Sequence, residues 1–264
     1  MKKGIVTLSF DDGRKDNYFI FKDLLEKYKI PATINIATGY IEGKVQAGKN
    51  PAMLKEEVIE LYNNPLFEVA GHGDMHGNDI DDIREGKKKL VQWFQLPEKS
   101  KLGFASPGSE MSIDYIDSNY ETFERMGFEY IRTGLRVSSY RILRIAARRF
   151  ARVVHSAYAF RFAYNDTFQD SVKGLAVVSI PVLHDTTFRQ VKGVIDQAIK
   201  QKKWVVLMFH SIEQKNGLYY SDVWTWDYEA FERLLKYINK KRNEQEIEIS
   251  TTHDAYNKLK KEEL

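Results

Sequence analysis

Leu8–Gly13 reads LSFDDG: an apolar run (Ile5, Val6, Leu8, Phe10) stops at two adjacent carboxylates and a glycine. A short apolar run of this kind predicts a buried strand. Asp11 and Asp12 repel each other at its end, so each needs water, a cationic group or a bound cation. A solvated turn meets that need, and so does a site built with partners from elsewhere in the chain. The choice rests on what the remaining sequence delivers to the same place.

Strand-like and helix-like stretches alternate outward from that point. Strands are expected over 3–10, 31–37, 66–70, 101–105, 129–132, 176–181, 204–209 and 246–250. Helices are expected over 17–28, 55–63, 80–94, 115–126, 187–201 and 228–239. The repeated strand–helix–strand order argues for a parallel sheet with crossover helices. The 264 residues, 43% hydrophobic and 29% charged, suit one large α/β barrel or doubly wound sheet.

A net charge of +3 asks for no nucleic-acid partner, and the absence of cysteine excludes disulfides and thiolate metal sites. Any metal must therefore sit on histidine and carboxylate. The first apolar run has about five residues, shorter than the ~7–15 of a signal-peptide core, and no stretch approaches the ~20 of a membrane span. A cytoplasmic protein is the expectation.

Parallel α/β folds gather function at the carboxyl ends of their strands. There the chain places Asp11-Asp12-Gly13, then Gly71-His72-Gly73-Asp74-Met75-His76, then Ser106-Pro107-Gly108, then His210. His72 and His76, four apart, can face one point from a helical turn. With one carboxylate they make a three-ligand site for a divalent metal, leaving positions open for water and substrate. Alone, such a pair is as readily two surface histidines. Its coincidence with paired aspartates and a Pro-Gly turn at successive strand ends favours a site.

SFDDG (9–13), FEVAGHGDMH (67–76), FASPG (104–108) and LMFH (207–210) together resemble, in this order, the polysaccharide deacetylases, carbohydrate esterases of family four with a NodB-homology domain. The resemblance implies an α/β fold, a distorted (β/α) barrel of about seven parallel strands, in a single domain over 1–264. It implies Asp12, His72 and His76 as metal ligands, Asp11 as general base and His210 as general acid. The Gly108 backbone N–H, after Pro107, would stabilise the oxyanion. The implied activity is metal-dependent removal of N-acetyl groups from an amino sugar in a glycan, a lipid-linked intermediate or an activated sugar, as in surface-polysaccharide assembly. Zinc suits such ligands best; nickel, cobalt and iron accept them too. The alternatives are amide hydrolysis on a small non-sugar substrate and a glycan-binding barrel that keeps only the metal.

The third motif departs from the family. Ala105 stands where an arginine would orient the base, Gly108 where an aromatic would follow the proline, and Gly73 where a hydroxyl residue commonly follows the first histidine. Asp166, Asp170 and Asp185 are candidates for an acidic partner of His210, and Trp224 or Trp226 for stacking on a sugar face.

RILRIAARRFARVVHSAY (141–158) predicts one amphipathic helix within an insertion near 136–163. At about 100° per residue, Arg141, Arg144, Arg148 and Arg152 share one stripe and the apolar side chains lie opposite. Two readings fit. The apolar side packs on the barrel under solvated arginines, or the arginines attach to an anionic membrane surface or a phosphate-bearing glycan carrier. Arg132, Arg136 and Arg161 add local positive charge.

Overall fold

β1 (Gly4–Phe10) is buried along its whole length, and the other strands are arranged around it. β2 (Ala32–Ile36), β3 (Phe67–Gly71), β4 (Leu102–Ala105), β5 (Phe128–Gly134), β6 (Ala176–Pro181) and β7 (Trp204–Phe209) follow in sequence order. Each is parallel to its neighbour, and β7 returns to pair with β1 from Ile5↔Trp204 to Phe10↔Phe209. The seven strands therefore close into a parallel barrel wrapped by helices. The computed structural model describes residues 3–46, 48–134, 142–218, 220 and 222–261.

The barrel is distorted because β1 divides its second edge between two strands. Ser9 and Phe10 pair with β2, whereas Gly4–Val6 pair with β10 (Ile247–Ile249). β3 and β4 share a single register pair, Gly71↔Phe104, and the β4–β5 register shifts between Leu102 and Phe104. Two short strands, β8 (Ser211–Glu213) and β9 (Thr225–Asp227), pair beside the carboxyl end of β7.

Alternation along the strands sorts the side chains. Val6, Leu8 and Phe10 join the apolar layer shared with the helices, while Ile5, Val177, Trp204 and Val206 form a second cluster with Tyr130. The C-terminal helix Thr252–Lys261 adds Ala255, Tyr256 and Leu259 to that second cluster, sealing the end where the strands begin. Further along, the buried row turns polar. Trp204 Nε1 donates to Thr7 Oγ1 at 2.9 Å, and Asn35 Nδ2 donates to Ser9 Oγ at 2.9 Å. The strand period of two then brings Asp11 to the end of the row Ile5, Thr7, Ser9.

The insertion between β5 and β6 differs from its expected form. Helices Ile142–Val154 and Ala157–Ala163 replace the single helix over 141–158. The break falls at His155, with φ +51°, and Ser156 caps the second helix by accepting from Ala159 N–H. The arginine stripe is turned toward the body of the protein. Arg144 pairs with Asp166 at 2.9 Å, Arg152 with Asp185 at 2.6 Å, and Arg148 lies over the Tyr164 ring. The apolar side faces outward instead, with Leu143 77% and Val153 79% exposed. Two carboxylates and a ring of the body engage these guanidinium groups, so the stripe faces the body, although the Arg152 side chain keeps 54% of its surface exposed. Arg136 and Arg141 lie outside the described residues. The helix expected over 115–126 is likewise two, Ile113–Ser118 and Tyr120–Arg125, divided at Asn119.

Helix Ile80–Trp93 presses on the histidine-bearing loop through Gly86. A Cβ there would lie 2.6 Å from the Gly73 carbonyl carbon. Gly86→Ala is expected to lower stability by about 1–3 kcal/mol through overpacking against backbone. It should also weaken divalent-metal binding, because the loop must shift; thermal unfolding and metal titration of the variant check both.

Candidate active site

Asp11 closes β1 with its backbone N–H donating to Phe209 O at 2.9 Å, which ties the aspartate pair to the end of β7. Its carboxylate is sealed from water and held on both oxygens. Arg132 Nη2 donates to Oδ1 at 2.7 Å and to Oδ2 at 2.6 Å, and Asn35 Nδ2 donates to Oδ1 at 2.8 Å. Burial alone would raise the Asp11 pKa, but the Arg132 guanidinium, with His72 and His210, holds it below the ordinary value.

Arg132 lies on β5 and is register partner of Ala105 on β4. The guanidinium missing from position 105 is therefore supplied one strand further round the barrel. Ser179 fixes its orientation by accepting from Nη1 at 3.0 Å. The sequence carries a signal for this: a charged residue inside the apolar strand FEYIRTG must find a buried counter-charge. Arg132 is buried beside Asp11 at the carboxyl end of the barrel and adds nothing to the basic surface of the insertion.

Asp12 breaks the strand with φ +78°. That left-handed backbone is costly for a residue with a Cβ, and it swings the second carboxylate away from Asp11. Oδ1 then sits 3.5 Å from both His72 Nε2 and His76 Nε2. Oδ2 accepts from Arg14 Nε at 2.9 Å, and Arg14 is itself anchored to Ser211 and Asp222. Burial opposes ionisation of Asp12, but His210, His72 and His76 together hold its pKa well below the ordinary value.

His72 and His76 do not share a helical turn. They stand on an irregular loop after β3, flanked by Gly71, Gly73 and Gly77, with Gly73 at φ +79° and His76 itself at φ +63°. Glycines remove the helix option, and the Asp82 carboxylate shapes the loop by accepting from the backbone N–H groups of Asp74, Met75 and Gly77. His72 Nδ1 lies 2.8 Å from Ala105 O. Because a carbonyl only accepts, Nδ1 carries the proton and Nε2 keeps the lone pair a metal requires. His76 is stacked on Tyr40, their centroids 5.4 Å apart.

One ligand atom from each of Asp12, His72 and His76 lies within 4.8 Å of the others. Two imidazoles, that of His72 with its Nε2 lone pair fixed, and one carboxylate are a donor set that fits a divalent cation.

His210 follows β7, is buried, and lines with Asp11, Asp12, His76 and Gly108 a cavity of about 670 Å³. None of the three candidate aspartates stands behind it. Asp166 pairs with Arg144, Asp170 with Lys203 and Asp185 with Arg152. Among the described residues His210 Nδ1 has no hydrogen-bond partner, and its ring lies 4.5 Å from that of Trp224.

Trp224 lines the cavity, whereas Trp226 does not. Trp226 is 1% exposed, packs on Phe209 and Phe231, and donates from Nε1 to Thr186 O. Its indole is enclosed by these core side chains and not by the cavity, so a substrate role falls away. Pro107 is also absent from the cavity wall. It is buried, and its carbonyl accepts from Asn78, so its part is to shape the turn that presents Gly108, at φ +58°. His155 is exposed and His253 pairs with Glu129, both away from the site.

Residues 1–118 match the family model described as polysaccharide deacetylase, the family read from the motifs. Among curated proteins, poly-beta-1,6-N-acetyl-D-glucosamine N-deacetylase of Staphylococcus aureus (strain MRSA252) is 30% identical over 130 residues, 43% of this chain and 43% of the relative. The chain thus spans less than half the length of that relative. Among solved structures, Streptococcus pyogenes deacetylase PplD in complex with acetate aligns with a TM-score of 0.39 at 19% identity, over 47% of this chain and 54% of that one. The 4-alpha-glucanotransferase of Thermococcus litoralis aligns with a TM-score of 0.55 at 14% identity, over 98% of this chain and 41% of that one, a likeness of fold.

Burial drives the His210 imidazole from 6.5 down to about 4, against the pull of Asp12 and Asp11. Between those values the unfolded chain binds more protons than the folded one, so stability falls as pH drops through that window. The loss is expected to reach about 3 kcal/mol near pH 4. His210→Asn, which does not titrate, should lack this component. Denaturant unfolding of metal-free wild type and variant at pH 7, 5.5 and 4 measures the difference.

Proposed function

We propose that this chain, a relative of the polysaccharide deacetylases through its first 118 residues, is a metal-dependent hydrolase acting on N-acetyl groups of an amino sugar. The sugar is carried in a glycan, a lipid-linked intermediate or an activated form. The observation that supports this best is convergence: Asp11, Asp12, His76 and His210 line one cavity, with His72 beside Asp12. The curated relative is an N-deacetylase of an N-acetylglucosamine polymer by its name, which supports the substrate class.

Asp12, His72 and His76 would hold the cation. When bound, a divalent ion such as zinc supplies Lewis-acid chemistry, activating water and polarising the amide carbonyl. The chain's own residues do the rest. Asp11, kept ionised by Arg132, takes the proton of the attacking water as its oxygen bonds to the acetyl carbon. The Gly108 N–H, at the cavity wall, is the candidate donor to the resulting oxyanion, a placement worth about 3–4 kcal/mol. His210, neutral at rest because burial lowers its pKa to about 4, is the candidate to pass the proton released from the attacking water on to the sugar nitrogen as the C–N bond breaks, leaving acetate and an amine. Trp224 positions the imidazole by ring contact, in place of a carboxylate. Ala105 and Gly108 favour the glycan-binding alternative, whereas the Arg132 guanidinium on Asp11 supports the hydrolase reading.

Acetate release from N-acetylglucosamine oligomers tests the reading. Asp11→Asn and His210→Ala should each cut kcat by roughly 10²–10⁴-fold. Chelation should abolish turnover, and readdition of zinc or cobalt should restore it. Metal-loaded wild type that yields no acetate from any N-acetylated sugar would count against the proposal.

Arg132→Met is expected to strand a buried carboxylate, lowering stability by about 3–5 kcal/mol. It should raise the Asp11 pKa, moving the acid limb of the kcat/KM profile to higher pH. An unshifted limb in the folded variant would separate Arg132 from the base.

A further inference from the structure

The arginine stripe of helix Ile142–Val154 places three guanidinium groups at i, i+4 and i+8, and the structure treats them unequally. Arg144 is neutralised by Asp166 and Arg152 by Asp185. Arg148, between them, makes no ion pair with a carboxylate among the described residues. It lines the same cavity as Asp11 and His210. The other arginine of that wall, Arg14, is taken up by Asp12 and Asp222. Among the described residues, the cavity wall therefore carries an arginine without an anionic partner.

That cation is held in place. Its guanidinium carbon lies 5.3 Å from the centroid of the Tyr164 ring, and Tyr164 is buried. Tyr164 restricts the guanidinium by ring contact and a side-chain hydrogen bond, and leaves its remaining donors for a ligand. A half-buried, preorganised arginine without a counter-charge recognises phosphate or carboxylate oxygens.

We propose that Arg148 forms an anion subsite of the catalytic cavity, and that the substrate is an N-acylated sugar bearing a phosphate or carboxylate group. This rests on the deacetylase reading for the sugar and on Arg148 alone for the anion. Arg148 is then a specificity residue that holds the substrate by its charge while its N-acyl group meets Asp11 and His210.

The test uses the zinc-loaded protein with three probes: neutral N-acetylglucosamine, N-acetylglucosamine 1-phosphate and N-acetylmuramic acid. Binding by calorimetry and acetate release are measured for wild type, Arg148→Gln, Arg148→Lys and Arg149→Ala, the last an exposed control on the same helix. Wild type should prefer at least one anionic probe over the neutral one by roughly ten- to a hundredfold. Arg148→Gln should collapse that ratio, Arg148→Lys should restore part of it, and Arg149→Ala should keep it. Whichever anionic probe shows the larger ratio separates phosphate from carboxylate. Equal binding of neutral and anionic probes by wild type, or an unchanged ratio in Arg148→Gln, would overturn the subsite. A persisting ratio with no acetate from any probe would instead count against the deacetylase reading and leave the subsite standing.

Discussion

Two neighbouring carboxylates that are both removed from water stay ionised only when each meets its own positive field. The aspartate pair at the end of β1 meets this condition by division. Asp11 is turned into the barrel toward Arg132, and Asp12 is turned outward by a left-handed backbone toward two imidazoles and Arg14. Much of the surrounding structure serves that separation. β7 supplies the carbonyl that pins Asp11, β2 supplies Asn35, and β8 supplies the hydroxyl that steadies Arg14. A buried ion pair is rarely a source of net stability, because desolvation offsets most of the Coulomb gain. Its role here is to keep a carboxylate charged and motionless at one place.

The fold is readable because strand and helix periods persist through most of the chain. β6 and β7 and the helix Lys55–Asn63 fall where alternation and breaker residues put them. The short strands β8 and β9 are not readable, since three residues carry no period. The same holds for the helix breaks at Asn119 and His155, where local capping overrides a continuous pattern. The four chemistry-bearing segments are readable because each ends a strand. Arg132 escapes a linear reading because its significance is a cross-strand relation: it faces Ala105 only through the β4–β5 register, which lies 27 positions away in sequence. Trp226 escapes it too: two positions from Trp224, it would share a face with it under strand alternation, and only its packing against Phe209 and Phe231 puts it in the core.

The insertion shows how an amphipathic pattern fixes two faces of a helix without saying which one is inside. Burying an apolar side is the common solution, but the cost of exposing it can be met when charged partners wait beneath the polar side. Asp166, Asp185 and the Tyr164 ring are such partners, and none of them is adjacent in sequence to the arginine it engages. Helix orientation is thus settled by residues up to 33 positions distant from their arginine.

The exchange between Ala105 and Arg132 bears on how members of an enzyme lineage are judged alive or dead. Read by motif position alone, Ala105 stands where a charge should be, and by that criterion the protein is inert. Closed barrels have no privileged stave: two parallel strands side by side can each reach the same interior point from matching heights. Selection can hand an ancestral duty from one stave to the next while the reacting atoms notice nothing. Loss of function in such lineages is better diagnosed from interior coordinates than from letters.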